Sequence, residues 1–218
     1  MTFLCLVALP ARAHFTLVAP ASWASQDAFG GPQKSAPCGQ DDPGVPATPT
    51  GAVTTVQQGS TLTITIDEKI FHPGHYRVSL AADQASLPAD PLVTAGSTPC
   101  GSTDIVTSPA LPLLADGLLV HDTPFPRQQT VQVQLPAGFT CANCTLQVTE
   151  FMSNHGLNVP GGCFYHHCAN LTIAADADAG TPPPTTPQGC GCTQPGASLL
   201  ASGVVALLVR RRLTATRR

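Results

Sequence analysis

Seven histidines punctuate the chain: His14, His72, His75, His121, His155, His166 and His167. With only 10 lysines and arginines in 218 residues, they are not part of a general basic character. His14 has the most distinctive position. It follows Ala11-Arg12-Ala13, an A-x-A pattern of the kind a signal peptidase cuts after. Cleavage after Ala13 would place an α-amine and an imidazole on one residue. An α-amine titrates at roughly 7.7–8, so its proton is lost at little cost near neutrality. The amine and Nδ1 can then close a chelate ring on one metal ion. One more imidazole completes a T-shaped set of three nitrogens. Planar nitrogen ligation suits Cu(II) above other divalent first-row ions, whereas zinc favours a tetrahedral shell.

The second imidazole is sought in Phe71-His72-Pro73-Gly74-His75-Tyr76-Arg77. This segment links two strand-like stretches, and a link of that kind displays its side chains at the edge of a sheet. His72 precedes the Pro-Gly turn and is favoured as the second ligand. His75 opens the following strand and is the alternate. His121 has no such context.

Compartment follows from the leader and the cysteines. Residues 1–13 carry an apolar run from Phe3 to Leu9 before the A-x-A site, and read as a signal peptide without the usual basic start. Of nine cysteines, Cys5 goes with the leader, and Cys190 and Cys192 lie in a C-terminal tail. Cys38, Cys100, Cys141, Cys144, Cys163 and Cys168 remain, an even set expected to form three disulfides in an exported domain. Six cysteines allow fifteen connectivities, and the sequence does not choose among them. Cys141-x-x-Cys144 has no second pair at zinc-knuckle spacing, so each is expected to bridge to another cysteine. Between His14 and Ala175 there are 11 acidic and 4 basic residues, a balance that argues against nucleic acid as a partner.

The elements that must position these residues are strands. STLTITI alternates Leu62, Ile64 and Ile66 with threonines; HYRVSL puts Tyr76, Val78 and Leu80 on one face; QTVQVQL does the same with Val131, Val133 and Leu135. HFTLV (14–18), TLQVTEF and CANLTIA (168–174) complete the pattern. No sustained helical stripe is present. The expected fold is all-β: an antiparallel β-sandwich of the immunoglobulin or fibronectin III kind, with long disulfide-stapled loops. The longest loop runs from Ala19 to Gly51 and is pinned by Cys38. A proline-rich insertion with weak periodicity spans Ala82 to Arg127. The domain is expected to cover 14–175, followed by a Pro/Thr-rich linker over 176–189 and a tail over 190–218. The tail combines Cys190 and Cys192, a thirteen-residue apolar run from Ala197 to Val209, and an arginine cluster. That run is short of the ~20 residues that span a bilayer.

Four pieces together resemble the lytic polysaccharide monooxygenases and related chitin-binding type-4 proteins, which carry a copper "histidine brace". They are the Ala-Arg-Ala/His14 junction, HPGHYRV (72–78), CANCTLQV (141–148) and CFYHHCANLTI (163–173). The last resembles a Tyr-x-x-Cys-Ala-Asp ending, with Asn170 standing where the family has its acid. The resemblance implies copper held by His14 and His72, an aromatic residue at the axial position, and oxidative cleavage of a polysaccharide such as chitin or cellulose, driven by an external electron donor. By spacing the axial residue is Tyr165, with Phe164 as the alternate. His155, in Met152-Ser153-Asn154-His155-Gly156, is a candidate donor that steers the oxidant, and His166 or His167 is a candidate to face the metal. Glycosidases pair two carboxylates instead, and no such pair is expected here. The tail resembles the C-terminal sorting signals of myxobacterial surface proteins. That resemblance implies processing or anchoring at Cys190 or Cys192, a sorting machinery as partner, and a secreted or surface-anchored domain. One Trp and two Tyr supply few aromatic platforms for a crystalline glycan. A non-catalytic brace protein for copper capture or delivery, or a carbohydrate-binding module without redox chemistry, therefore stands beside the enzymatic reading.

Overall fold

The computed structural model describes residues 14–42, 44–157 and 161–175. The leader (1–13), the linker (176–189) and the tail with Cys190 and Cys192 lie outside the described residues. Ten strands follow in chain order: β1 (His14–Ala19), β2 (Val53–Gln57), β3 (Thr61–Ile70), β4 (Gly74–Ala81), β5 (Val93–Thr94), β6 (Ser102–Thr103), β7 (Leu113–His121), β8 (Gln129–Gln134), β9 (Cys141–Met152) and β10 (Phe164–Ala174). The described helical structure is a single 3-10 turn, Gln84–Ser86. No helix among the described residues is long and apolar enough to cross a membrane.

The strands form a sheet of order β1-β3-β8, a second of order β2-β10-β9-β4-β7, and a small β5-β6 ribbon. The two larger sheets face one another across a single core. Phe15, Leu17, Leu62, Ile64, Ile66 and Val133 come from one side; Tyr76, Val78, Leu80, Leu146, Tyr165 and Leu171 come from the other. The alternation in β3 explains its place: Leu62, Ile64 and Ile66 are buried while Thr61 and Thr63 are exposed. Burying each such side chain contributes about 1.5–3 kcal/mol before chain entropy is counted. The sandwich is antiparallel except at one edge, where β2 pairs with β10 in parallel.

Two stretches depart from the expected pattern. The proline-rich insertion contains β7, a full member of the larger sheet, which pairs with β4 through repeated register shifts. Bulges of this kind break the period of two that marks a strand in sequence. The last strand begins at Phe164 and not at Cys168, so Tyr165, His166 and His167 are all on it.

All six domain cysteines are paired: Cys38 with Cys168, Cys100 with Cys163, and Cys141 with Cys144. The last pairing corrects the expectation that Cys141 and Cys144 bridge to other cysteines. The other two staples serve the site. Cys38–Cys168 ties the long 19–51 loop to β10, and Cys100–Cys163 ties down the loop that joins β9 to β10.

Candidate metal centre

His14 is the first residue of β1, opposite Ile70 of β3. Its neighbour Phe15 is fully buried and fixes the strand end. The Phe15 ring meets Tyr76 and His167 edge-on, with centroids 5.2 and 4.6 Å away. His167 Nε2 donates to the Phe15 carbonyl at 2.9 Å, and the Phe15 amide donates to Gln33 Oε1 at 3.2 Å. Gln33 is itself held by Asp42, which accepts from its amide at 2.8 Å, and by the His166 amide, which donates to the Gln33 carbonyl at 2.8 Å. The long loop therefore clamps the strand that presents His14. Trp23, the single Trp, helps to hold this loop in place, its indole donating to the Cys38 carbonyl at 3.0 Å.

His72 lies in the three-residue link between β3 and β4, where the chain passes from one sheet to the other. The link is anchored by Ser153, whose amide and hydroxyl both donate to the Pro73 carbonyl, at 2.9 and 3.1 Å. Gly74 makes the close passage possible, since a Cβ there would lie 1.7 Å from the Phe151 carbonyl oxygen. His72 Nδ1 donates to Asn154 Oδ1 in a short hydrogen bond. This tautomer leaves a lone pair on Nε2, a buried atom with no hydrogen-bond partner among the described residues. Burial lowers the His72 pKa below its usual value, against the opposing pull of Asn154 and of the Glu68 charge. The ring is thus held neutral, the state a metal ligand requires.

His155 and Tyr165 connect the two. The ring centroids of His72 and His155 are 5.3 Å apart, those of His155 and Tyr165 5.3 Å, and those of Tyr165 and His14 5.4 Å. His155 Nδ1 donates to the Gly162 carbonyl in a short hydrogen bond, so its Nε2 accepts from the Tyr165 hydroxyl at 3.3 Å. Burial lowers the His155 pKa. Gly161, at φ 92°, closes over the phenol, and a Cβ there would sit 2.0 Å from Tyr165 Cε1. Beside His14 a pocket of about 200 Å³ is lined by Asp27, Phe29, Lys34 and Asp42. Phe29 is 56% exposed, with its ring 6.1 Å from that of His14.

The alternates lie elsewhere. His75 turns to the other face of β4, its ring 5.3 Å from Phe151 and Nε2 3.7 Å from Asp116 Oδ1. Phe164 packs on Phe151 in a separate small cluster with Cys100 and Cys163. Strand alternation puts them there, because neighbours in a strand face opposite sides. By the same rule His166 points away to Asp90, at 2.7 Å, while His167 points inward to support β1. Burial pushes the His167 pKa down to about 4. Asn154, Gln33 and Phe29 carry no signal in the sequence that marks them for the site, although Asn154 at least adjoins His155 in a polar turn. Glu68 and Glu150 converge with His121 inside the sandwich, Glu150 being fully buried, and are not an acid pair of the glycosidase kind.

The residues present fit a copper ion on this chain's own terms: a buried imidazole nitrogen with a lone pair that no described residue uses, at one end of a run of rings that reaches His14, whose amine would be free only if the chain were cut after Ala13. No protein-family model and no curated protein matches the chain. Among solved structures, the chain is similar to the lytic polysaccharide monooxygenase AA15 from Thermobia domestica in the Cu(I) state. The identity is 19%, with 74% of this chain and 99% of that chain covered, at a TM-score of 0.49.

Proposed function

We propose that cleavage after Ala13 completes a copper site from the His14 amine and imidazole together with His72 Nε2, and that the chain is a secreted or surface-anchored polysaccharide monooxygenase-like protein. The observation that carries this reading is the string of rings from His14 through Tyr165 and His155 to His72, with the Nε2 lone pair of His72 left over at its end. Bound copper would supply one-electron redox chemistry for the oxidative cleavage of a glycosidic bond, with electrons from an external donor.

The chain's own residues do the rest. Asn154 orients His72 by accepting its Nδ1 hydrogen. Tyr165 fills the space beside His14 and keeps its hydroxyl turned to His155. His155, fixed by the Gly162 carbonyl, is the imidazole left over when His14 and His72 hold the metal, and so can take up or return a proton at Nε2. Phe29 offers an exposed ring for a sugar face. A second reading, copper capture or delivery, is favoured by the shortage of other platforms: Trp23 is half-buried and committed to the Cys38 carbonyl, and Tyr76 and Tyr165 are buried.

Three measurements on the secreted protein test this. Intact mass should give His14 as the first residue. Titration should find one tightly bound copper, lost in His14→Ala and in His72→Ala and kept in His75→Ala. Incubation with chitin or cellulose plus a reductant should release oxidised oligosaccharides. Tight copper without product selects the carrier reading, and loss of copper in His75→Ala but not in His72→Ala sinks the ligand assignment.

A further inference from the structure

Inside the sandwich three side chains from three strands converge without sharing a ligand with His14 or His72. Glu68 comes from β3, His121 from the end of β7 and Glu150 from β9, and one ligand atom of each lies within 4.8 Å of the others. The side chains of His121 and Glu68 are 5% and 3% exposed, and Glu150 is 0% exposed. Two carboxyl groups so close and so dry need a proton or a cation between them.

The geometry of His121 suits a cation as well as a proton. Its Nδ1 is 2.9 Å from the Leu119 carbonyl oxygen, which can only accept, so Nδ1 carries the hydrogen. Nε2 lies 2.9 Å from Glu68 Oε1, where either a second ring proton or a cation can join the nitrogen to the carboxylate. A ring that donates one N–H to a backbone carbonyl and offers its other nitrogen inward is arranged as metal-binding histidines are. Glu68 is oriented in turn, because its Oε2 accepts from the Phe125 amide at 3.1 Å.

Glu150 adds an independent observation. Neither of its carboxyl oxygens has a hydrogen-bond partner of ordinary geometry among the described residues. The Tyr76 hydroxyl, also buried, is the donor that faces it, close enough to interact as a hydrogen bond though outside ordinary geometry. A fully enclosed carboxyl aimed into a cluster of acceptors has no reason to be there for packing alone.

We propose that Glu68, His121 and Glu150 form a second metal site, separate from the histidine pair, that takes one divalent ion accepting mixed carboxylate and imidazole ligands. Zinc fits this donor set: three protein ligands, with a fourth position open to the Tyr76 hydroxyl or a water. Binding displaces any proton held by Glu150, so entry of the ion releases one proton.

The test uses the full secreted protein, first saturated with copper and then titrated with zinc chloride, with both metals counted by elemental analysis after dialysis. One zinc per chain is expected in addition to copper, with a rise in Tm. Glu150→Gln and Glu68→Gln should each weaken zinc binding at least ~10-fold and abolish the rise, with copper content unchanged. Zinc bound and lost in these variants, in a protein that takes up no copper, upholds this site while the histidine pair fails. Zinc absent from the unaltered protein, or undiminished in both variants, overturns it. Should neither variant fold, crystals of the unaltered protein soaked in zinc chloride must show anomalous scattering between the three side chains, and a blank map there overturns the proposal.

Discussion

At the scale of single residues, the site depends on tautomers that its neighbours dictate. Asn154 accepts from His72 Nδ1 and thereby aims Nε2. Asn154→Ala should weaken copper binding by about 10–100-fold, measured by calorimetric titration, with little change in Tm because Asn154 is exposed. His167 makes a different prediction. Its pKa falls from 6.5 to about 4 on folding, so the unfolded chain binds the proton more tightly. Its contribution to stability is therefore present in full above pH 6.5 and is lost as the pH falls toward 4. The shift corresponds to roughly 3 kcal/mol at most. Urea unfolding at intervals from pH 7 to 4 should show this loss, and His167→Gln should flatten that part of the profile.

At the scale of elements, the β3–β4 link controls where His72 sits. Gly74→Ala would drive a Cβ into the Phe151 carbonyl, so β4 and β9 must separate. The variant should lose roughly 2 kcal/mol or more of stability by urea unfolding and bind copper less tightly, since the link moves with the strand. The strands themselves are unevenly legible in the sequence. β3, β4 and β8 announce themselves through strict alternation, as Leu62, Ile64 and Ile66 show. β7 does not, because Gly117 and Leu119 take left-handed φ values of 64° and 50° and its bulges scramble the period. The pairing of Cys141 with Cys144 is equally hidden, being contained in only some of fifteen possible connectivities until the strand that carries both is seen. Among the residues of the candidate site, Tyr165 and His155 stand out in the sequence because each belongs to a short motif. Asn154, 82 residues from His72, is not, and neither is the Glu68–His121–Glu150 cluster. Such meetings depend on sheet register, which single-sequence spacing does not specify.

At the scale of the whole molecule, fold and site have different requirements. Among the described residues the core is built from both sheets, whereas an α-amine on His14 would exist only after cleavage. A chain secreted with one extra residue before His14 should give the same circular dichroism spectrum and a Tm within about 2 °C, yet show no tight copper binding by titration. Equal copper affinity in the extended chain would remove the amine from the ligand set.

The burial of the two larger staples bears on which reductants the protein tolerates. Thiol–disulfide exchange requires a thiolate to reach a sulfur atom. Cys38 and Cys168 are 0% exposed, and Cys100 and Cys163 are 1% and 6% exposed. Half-buried Cys141 is the more approachable sulfur, and its bridge to Cys144 lies at the far end of β9 from His155. Small thiols such as cysteine or glutathione in the medium should therefore leave the bridges that brace the histidine strands shut. The first bond such a medium opens is the one whose loss the site would feel least.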